Sequence, residues 1–363
     1  MPTNFSSLLG LDRINIITSA AREPEASVLI IYTGGTLGMI HDDQGTLQPF
    51  DFSSILEHIP ALRKLQLKLT VIAFKEPIDS SNITPANWQK IGELIFNEYA
   101  HFNGFVVLHG TDTMAYSASA LSFMLRNLAK PVIFTGAQLP ISSLRSDARK
   151  NMINAVEIAA VNINGRSLVP EVCIYFDYKL FRGNRSKKVE SVFFDAFDSE
   201  NYPILAETGV EINYDLNSIL KPCNEELELR TNFANEVAIL KIFPGITKNY
   251  VKSVLSIPGL RGVVLETYGA GNAPTFDWFV QLLFEAVKKG ISILNVSQCP
   301  GGRVQQGRYQ TSKQLLEVGV IDGNDLTLEA AITKLMLVLG EHTDLREIEE
   351  EIKGSWSGEL TEK

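Results

Sequence analysis

Two stretches of this chain end an apolar run in hydroxyl groups. Val28-Leu-Ile-Ile-Tyr-Thr-Gly-Gly-Thr-Leu-Gly38 begins with β-branched residues and stops at Gly34-Gly35, between Thr33 and Thr36. Gly104-Phe-Val-Val-Leu-His-Gly-Thr-Asp-Thr113 repeats the design, with Gly110 ahead of Thr111 and Asp112. Each reads as a buried strand running into a tight turn. Glycines at such a turn allow positive φ and let a small ligand approach the backbone, so Thr36 is placed to act as a nucleophile. A Thr-Gly-Gly-Thr turn alone is only a turn. Two such ends in one parallel sheet converge on its carboxyl edge, where open α/β folds bind ligands. Neither stretch has the Gly-Lys-Ser/Thr ending of a phosphate loop. Nor is the first a dinucleotide fingerprint, because Thr36 stands where a second glycine belongs.

A threonine hydroxyl is weak at its free pKa and needs an adjacent base. A lysine can serve if burial or competition within a hydrogen-bonded set keeps its amine neutral. The most basic segment, Tyr178–Glu190, reads either as a solvated loop or as the source of that lysine. Asp112 would orient it, Thr111 would relay the proton, and the backbone N–H groups at Gly110–Thr111 would stabilise an oxyanion. Asp79-Ser80-Ser81 follows the alternating run Leu69–Phe74 and makes a third polar strand end, although Asp-Ser-Ser is also ordinary turn chemistry. The expected reaction is acyl transfer from a small amide or ester through a covalent intermediate. Five scattered histidines lack ligand spacing, so no metal is expected.

These residues need a mainly parallel sheet to bring them together, and the alternation of strands and helices supplies one. Strands are expected at 27–32, 69–74, 105–108, 131–134 and 171–176, and helices after Thr84-Pro85 and over 113–128 and 147–161. Residues 39–50 read as a lid over the nucleophile or as an ordinary hairpin. Residues 1–26 read as a loose extension or a short helix. The acidic, polar stretch 209–232 is the expected boundary between an N-terminal catalytic domain (27–208) and a smaller α/β unit (233–363). The fold class is therefore α/β, with helices on both faces of the larger sheet. In the smaller unit, Tyr268-Gly-Ala-Gly-Asn-Ala-Pro274 has proline where a nucleotide loop needs glycine and reads as a tight turn lining a cleft.

The chain has 363 residues, 45% of them hydrophobic, and a formal net charge of -9. That balance excludes nucleic acid as an expected partner and disfavours a membrane surface. No apolar run approaches the ~18 residues of a spanning helix, and the N-terminus lacks a secretory pattern. Three widely spaced cysteines argue for a reduced, cytoplasmic setting.

Thr33-Gly-Gly-Thr36-Leu-Gly and His109-Gly-Thr111-Asp112-Thr113-Met-Ala-Tyr-Ser-Ala together resemble the two signature stretches of bacterial-type L-asparaginases. Asp79-Ser-Ser81, Thr135-Gly-Ala-Gln138, Arg182-Gly-Asn-Arg185 and Gly269-Ala-Gly-Asn-Ala-Pro274 resemble stretches of the cytoplasmic, type I branch. The resemblance implies hydrolysis of L-asparagine to L-aspartate and ammonia through a β-aspartyl-threonine intermediate, without a cofactor. By position it makes Thr36 the nucleophile and Thr111, Asp112 and Lys188 the second polar set, Lys188 being preferred to Lys187. It assigns Asp79, Ser80 and Ser81 to the substrate's α-amino and α-carboxylate groups, with Gly35, Gly110 and Ala137 lining the site. It also implies a homodimer or a dimer of dimers. Two departures matter. Residues 39–50 hold no tyrosine to activate the nucleophile, and Tyr309 is the candidate substitute, resembling a tyrosine of mammalian type I relatives. Glu266 stands where some type I enzymes carry an effector-binding arginine, so allostery by asparagine is expected to be absent. Two other readings remain: the amide-hydrolysing subunit of a tRNA-dependent amidotransferase, for which 26 leading residues are too few, and a silent amino-acid-binding module.

Overall fold

The computed structural model describes residues 11–17, 24–41, 47–49, 55–307 and 310–362. It divides into two compact units, Met1–Ser199 with Pro203–Leu229 and Glu200–Tyr202 with Arg230–Lys363. The first unit thus contains most of the stretch assigned to a linker. Its strands Ala206–Thr208 and Ile212–Tyr214 join the main sheet, and Glu228–Leu229 pairs antiparallel with Leu125–Arg126.

The strands of the first unit's sheet are β1 (Leu11–Ile17), β2 (Ala26–Tyr32), β3 (Leu67–Phe74), β4 (Gly104–Leu108), β5 (Val132–Thr135), β6 (Val172–Phe176), β7 (Lys179–Arg182), β8 (Ala206–Thr208) and β9 (Ile212–Tyr214). They lie in the order β1-β3-β2-β4-β5-β6-β7-β8-β9. The five from β3 to β6 in that order are mutually parallel, and each flanking strand pairs antiparallel with its neighbours. The chain leaves β2 for β3 on one side and returns to β4 on the other. That reversal opens a crevice at the carboxyl ends of β2 and β4, the place where α/β sheets take ligands.

β2 is held as the central strand by burial on both faces. Val28, Leu29, Ile30 and Ile31 are all fully buried, each worth about 1.5–3 kcal/mol relative to exposure. β1 corrects the expected loose extension or short helix. It pairs along its whole length with β3, from Leu11↔Phe74 to Ile17↔Lys68. Ile16 is buried while Arg13 and Asn15 are exposed, an alternation that Asp12 and Arg13 disguise in the sequence. Arg13 pairs with Glu98 at 2.6 Å.

Three helices of this unit bear on the site: α1 (Pro85–Glu98), α2 (Met114–Met124) and α3 (Ala148–Ala160). α1 starts as its sequence dictates, with Pro85 at the first helical position and a capping box between Thr84 and Asn87. Its apolar face buries Trp88, Ile91, Leu94 and Ile95. α2 is buried nearly all round, which explains its Ala- and Ser-rich composition between packed elements.

The second unit is a four-stranded, all-parallel sheet of Val237–Lys241, Gly262–Thr267, Ser292–Ser297 and Ile321–Asp322, side by side in chain order. Its charged tail after Gly340 reads from composition as surface helix or coil; the surface helix is present, and the coil beyond it turns inward. After a helix at Leu345–Lys353, Glu359 is fully buried against Lys334, with Oε1 2.6 Å from Nζ. No described helix is long and apolar enough to cross a membrane.

Candidate active site

The four strand ends are tied together beyond the sheet by hydrogen bonds. Thr33 N and Oγ1 both donate to Leu108 O, at 3.1 and 3.0 Å, and Thr33 O accepts from Ile78 N at 2.8 Å. His109 N donates to Thr135 O at 2.9 Å. These bonds place the turns at 33–36, 78–82, 109–113 and 136–138 around one crevice.

Gly35 and Gly110 set how closely the turns approach. Gly35 has φ +89°, a conformation that penalises any side chain. A Cβ there would sit 2.6 Å from Gly110 N and 2.7 Å from Gly110 Cα. A Cβ on Gly110 would meet Ser80 Oγ at 2.5 Å. Thr36, directly after Gly35 in a short 3-10 turn, is therefore pressed against the 109–111 loop while remaining half-buried. Its side chain makes no hydrogen bond to another described residue. Gly35→Ala should lower kcat/KM by about 10²-fold, because an ångström of misplacement at reacting groups costs that much. Steady-state kinetics alongside a melting curve would show it, and unchanged kinetics would mean that this contact does not set the site.

Next to the Gly35–Gly110 contact, Lys188 Nζ donates to Thr111 Oγ1 at 2.8 Å and to Asp112 Oδ1 at 2.7 Å. The Lys188 side chain is 18% exposed and that of Asp112 67% exposed. Lys187 and Lys188 form a two-residue strand paired with Phe197–Asp198. Alternation along a strand sends neighbouring side chains to opposite faces, so only one of the two lysines reaches Thr111. The hairpin is pinned from below: Phe197 packs on Phe176 at 5.1 Å between ring centroids, and Ser186 Oγ donates to Arg182 O at 2.6 Å. Arg182 is itself buried in a pair with Glu171, Nε to Oε2 2.6 Å. Of the two readings of the basic segment, the structure fits the lysine-supplying one and not a solvated loop.

Asp79 caps the turn Ser80–Asn82 and accepts from Ser81 N at 3.0 Å and Ser81 Oγ at 2.9 Å. The two donors hold its exposed carboxyl below the usual carboxylate range, so it is an anion at neutral pH. Thr113 Oγ1 donates to Ser80 O at 2.7 Å and locks this turn to the loop at 110–113.

His109 lies beneath these turns and is fully buried. Burial lowers its pKa to about 4. An unfolded histidine titrates near 6.5, so between about pH 6.5 and 4 the unfolded chain binds a proton that the folded chain does not. Stability therefore rises with pH across that window, by up to about 3 kcal/mol in total. Denaturant titrations from pH 4 to 7 should show a steeper loss on acidification for the native chain than for His109→Asn, which has no titrating ring. Parallel pH dependences would contradict it.

The structure brings the turns that carry Asp79, Ser80 and Ser81, Gly110, Thr111 and Asp112, and Gly35 and Thr36 into mutual contact, with Lys188 bound to the second of them. Ala137 is buried on the adjoining turn. Tyr309 lies outside the described residues, as does the tip of the segment following the nucleophile. The described parts of that segment form a hairpin, Met39–His41 with Leu47–Pro49. Two residues escape the sequence reading as contributors. Gln138 Oε1 accepts from Thr111 Oγ1 at 3.4 Å while its Nε2 donates to Phe193 O at 3.1 Å. Asp147 accepts from Gln138 N and Leu139 N at 2.9 and 3.1 Å and so fixes that turn. Asp147 stands at the start of α3 but makes no cap bond to that helix, so a capping signal in the sequence does not point to this role.

Comparison with known proteins covers nearly the whole chain. Residues 27–220 match the model "Asparaginase, N-terminal", and residues 236–351 match "Glutaminase/Asparaginase C-terminal domain". The chain is 40% identical to L-asparaginase 1 of Escherichia coli over 92% of its own length and 98% of that protein's. It is 32% identical to a subunit of the glutamyl-tRNA(Gln) amidotransferase of Pyrococcus abyssi, over 96% of this chain and 83% of that protein. The solved thermostable L-asparaginase of Thermococcus kodakarensis superposes with a TM-score of 0.85 at 32% identity, over 93% of this chain and 100% of that chain.

Proposed function

From the premise that this chain belongs to the asparaginase family, we propose that it hydrolyses L-asparagine to L-aspartate and ammonia through an ester on Thr36. The Lys188 amino group, bound at once to Thr111 and Asp112, carries this reading, because it puts a proton-handling set beside the Thr36 turn.

Thr36 Oγ attacks the side-chain amide carbon, and its proton passes through Thr111 toward the Lys188 amine. The carbonyl oxygen becomes an oxyanion, met by backbone N–H groups of the 110–111 loop. Collapse breaks the C–N bond, and the returning proton lets nitrogen leave as ammonia. Water then attacks the ester, giving aspartate and free Thr36. The anionic, exposed Asp79 receives the substrate's α-ammonium, and the Ser80–Ser81 turn receives its α-carboxylate. No metal or cofactor is required for these steps. Tyr309 is proposed as the residue that assists Thr36 in place of a lid tyrosine, and the assembly as a homodimer or dimer of dimers.

Ammonia release from free L-asparagine tests the reading. Turnover without tRNA is expected, with glutamine slower by about 10–200-fold, since one methylene is worth about 1–3 kcal/mol. No ammonia from asparagine would overturn it.

A further inference from the structure

A buried chain of hydrogen bonds runs beneath the site and ends on its backbone. Trp88 Nε1 donates to Ser117 Oγ at 2.9 Å, Ser117 Oγ lies 2.9 Å from His109 Nε2, and His109 Nδ1 lies 2.7 Å from Gly110 O. The roles follow by elimination. A carbonyl only accepts, so Nδ1 carries the hydrogen. A neutral ring then has a bare Nε2, which must accept from the Ser117 hydroxyl. That hydroxyl is free to donate because its oxygen already accepts from the indole N–H. Each donor in the chain has one acceptor.

The Gly110–Thr111 peptide is trans, and a trans peptide points its C=O and N–H in opposite directions. The Gly110 carbonyl faces the buried imidazole, so the Thr111 N–H faces away from it, out of the core. Among the described residues that N–H has no acceptor. It belongs to the half-buried residue whose hydroxyl meets Lys188, on the loop that Gly35 touches.

We propose that His109, held as its Nδ1–H tautomer by Ser117 and Trp88, is a positioning residue that fixes the 110–111 peptide with its N–H aimed at the developing oxyanion. The role in turnover rests on the asparaginase reading above. The imidazole touches neither substrate nor the reacting atoms. Without its grip, the peptide is free to rotate and turn the carbonyl toward the site, replacing a donor by a lone pair where negative charge builds.

The test compares His109→Leu, which removes the donor, with His109→Asn, which restores an N–H at the δ position, and His109→Gln, which reaches only the ε position. Relative to wild type, His109→Leu should lose about 10²-fold in kcat, the scale for one oxyanion donor, with KM changed less than about threefold. His109→Asn should stay within about tenfold of wild type, and His109→Gln should behave like His109→Leu. Should His109→Leu fail to fold, the asparagine and glutamine variants carry the comparison. Nitrogen-15 NMR of wild-type histidines should show His109 with a protonated Nδ1 and a bare Nε2, a readout that needs no turnover. Wild-type kcat in folded His109→Leu, equal effects of the asparagine and glutamine variants, or an Nε2–H tautomer would each overturn the proposal. If the wild-type chain releases no ammonia from asparagine, the functional reading falls and the oxyanion role with it, while the NMR result still decides the tautomer and the peptide's orientation.

Discussion

Thr36→Ala should cut asparagine turnover by about 10⁴-fold or more while leaving the fold intact. The size follows from removing the atom that forms the covalent bond, since loss of a nucleophile costs nearly the whole catalytic unit rather than a share of it. The fold should survive because the Thr36 side chain makes no hydrogen bond to another described residue, and the turn is built by Gly35 and the backbone contact with Gly110. Substrate should still bind, because the α-groups are assigned to the 79–81 turn. The variant should therefore be stabilised against heat by asparagine without consuming it. Ammonia release at the wild-type rate would reject Thr36 as the nucleophile.

The second large effect is expected from Lys188→Met, which keeps the length of the side chain and removes the amine. Loss of a group that moves a proton costs about 10²–10⁴-fold in rate, and the fall should appear in kcat more than in KM. Stability should change little. The ion pair with Asp112 is open to solvent on the aspartate side, 67% exposed, and such pairs are worth less than about 1 kcal/mol. The combination of a large kinetic loss with a small shift in melting temperature separates a proton-transfer role from a structural one. An unchanged rate would move the role to Lys187.

The strand ends were legible because their cause is local. β-branched runs stopped by Gly34-Gly35 and by Gly110 can hardly be anything but buried strands entering tight turns. That the ends converge followed from the parallel order of the sheet, which the strand–helix alternation supplied. The choice of lysine was a different matter. Lys188 reaches Thr111 only because Lys187–Lys188 pairs with Phe197–Asp198, a contact that no local pattern announces, and it took the family resemblance to select it. Charge misled in two places. Arg182 lay in a segment open to reading as a solvated loop, yet it is buried against Glu171. Glu359 lay in a charged tail, yet it is buried against Lys334. In both pairs the partner is distant enough along the chain that composition reads two surface charges. His109 was weighed only for metal spacing, and its place under Gly110 emerges once α1 and α2 bring Trp88 and Ser117 to it.

The central claim is that the hydroxyl of Thr36 takes up the aspartyl group while Thr111, Asp112 and Lys188 move the proton. A crystal of the chain soaked with L-aspartate measures this most directly. The account predicts the side-chain carboxyl carbon about 3–3.5 Å from Thr36 Oγ1, the distance of a near-attack pose, with the α-ammonium on Asp79 and Lys188 still bound to Thr111. Aspartate seated away from Thr36, or a Lys188 ammonium turned into bulk water, would contradict it.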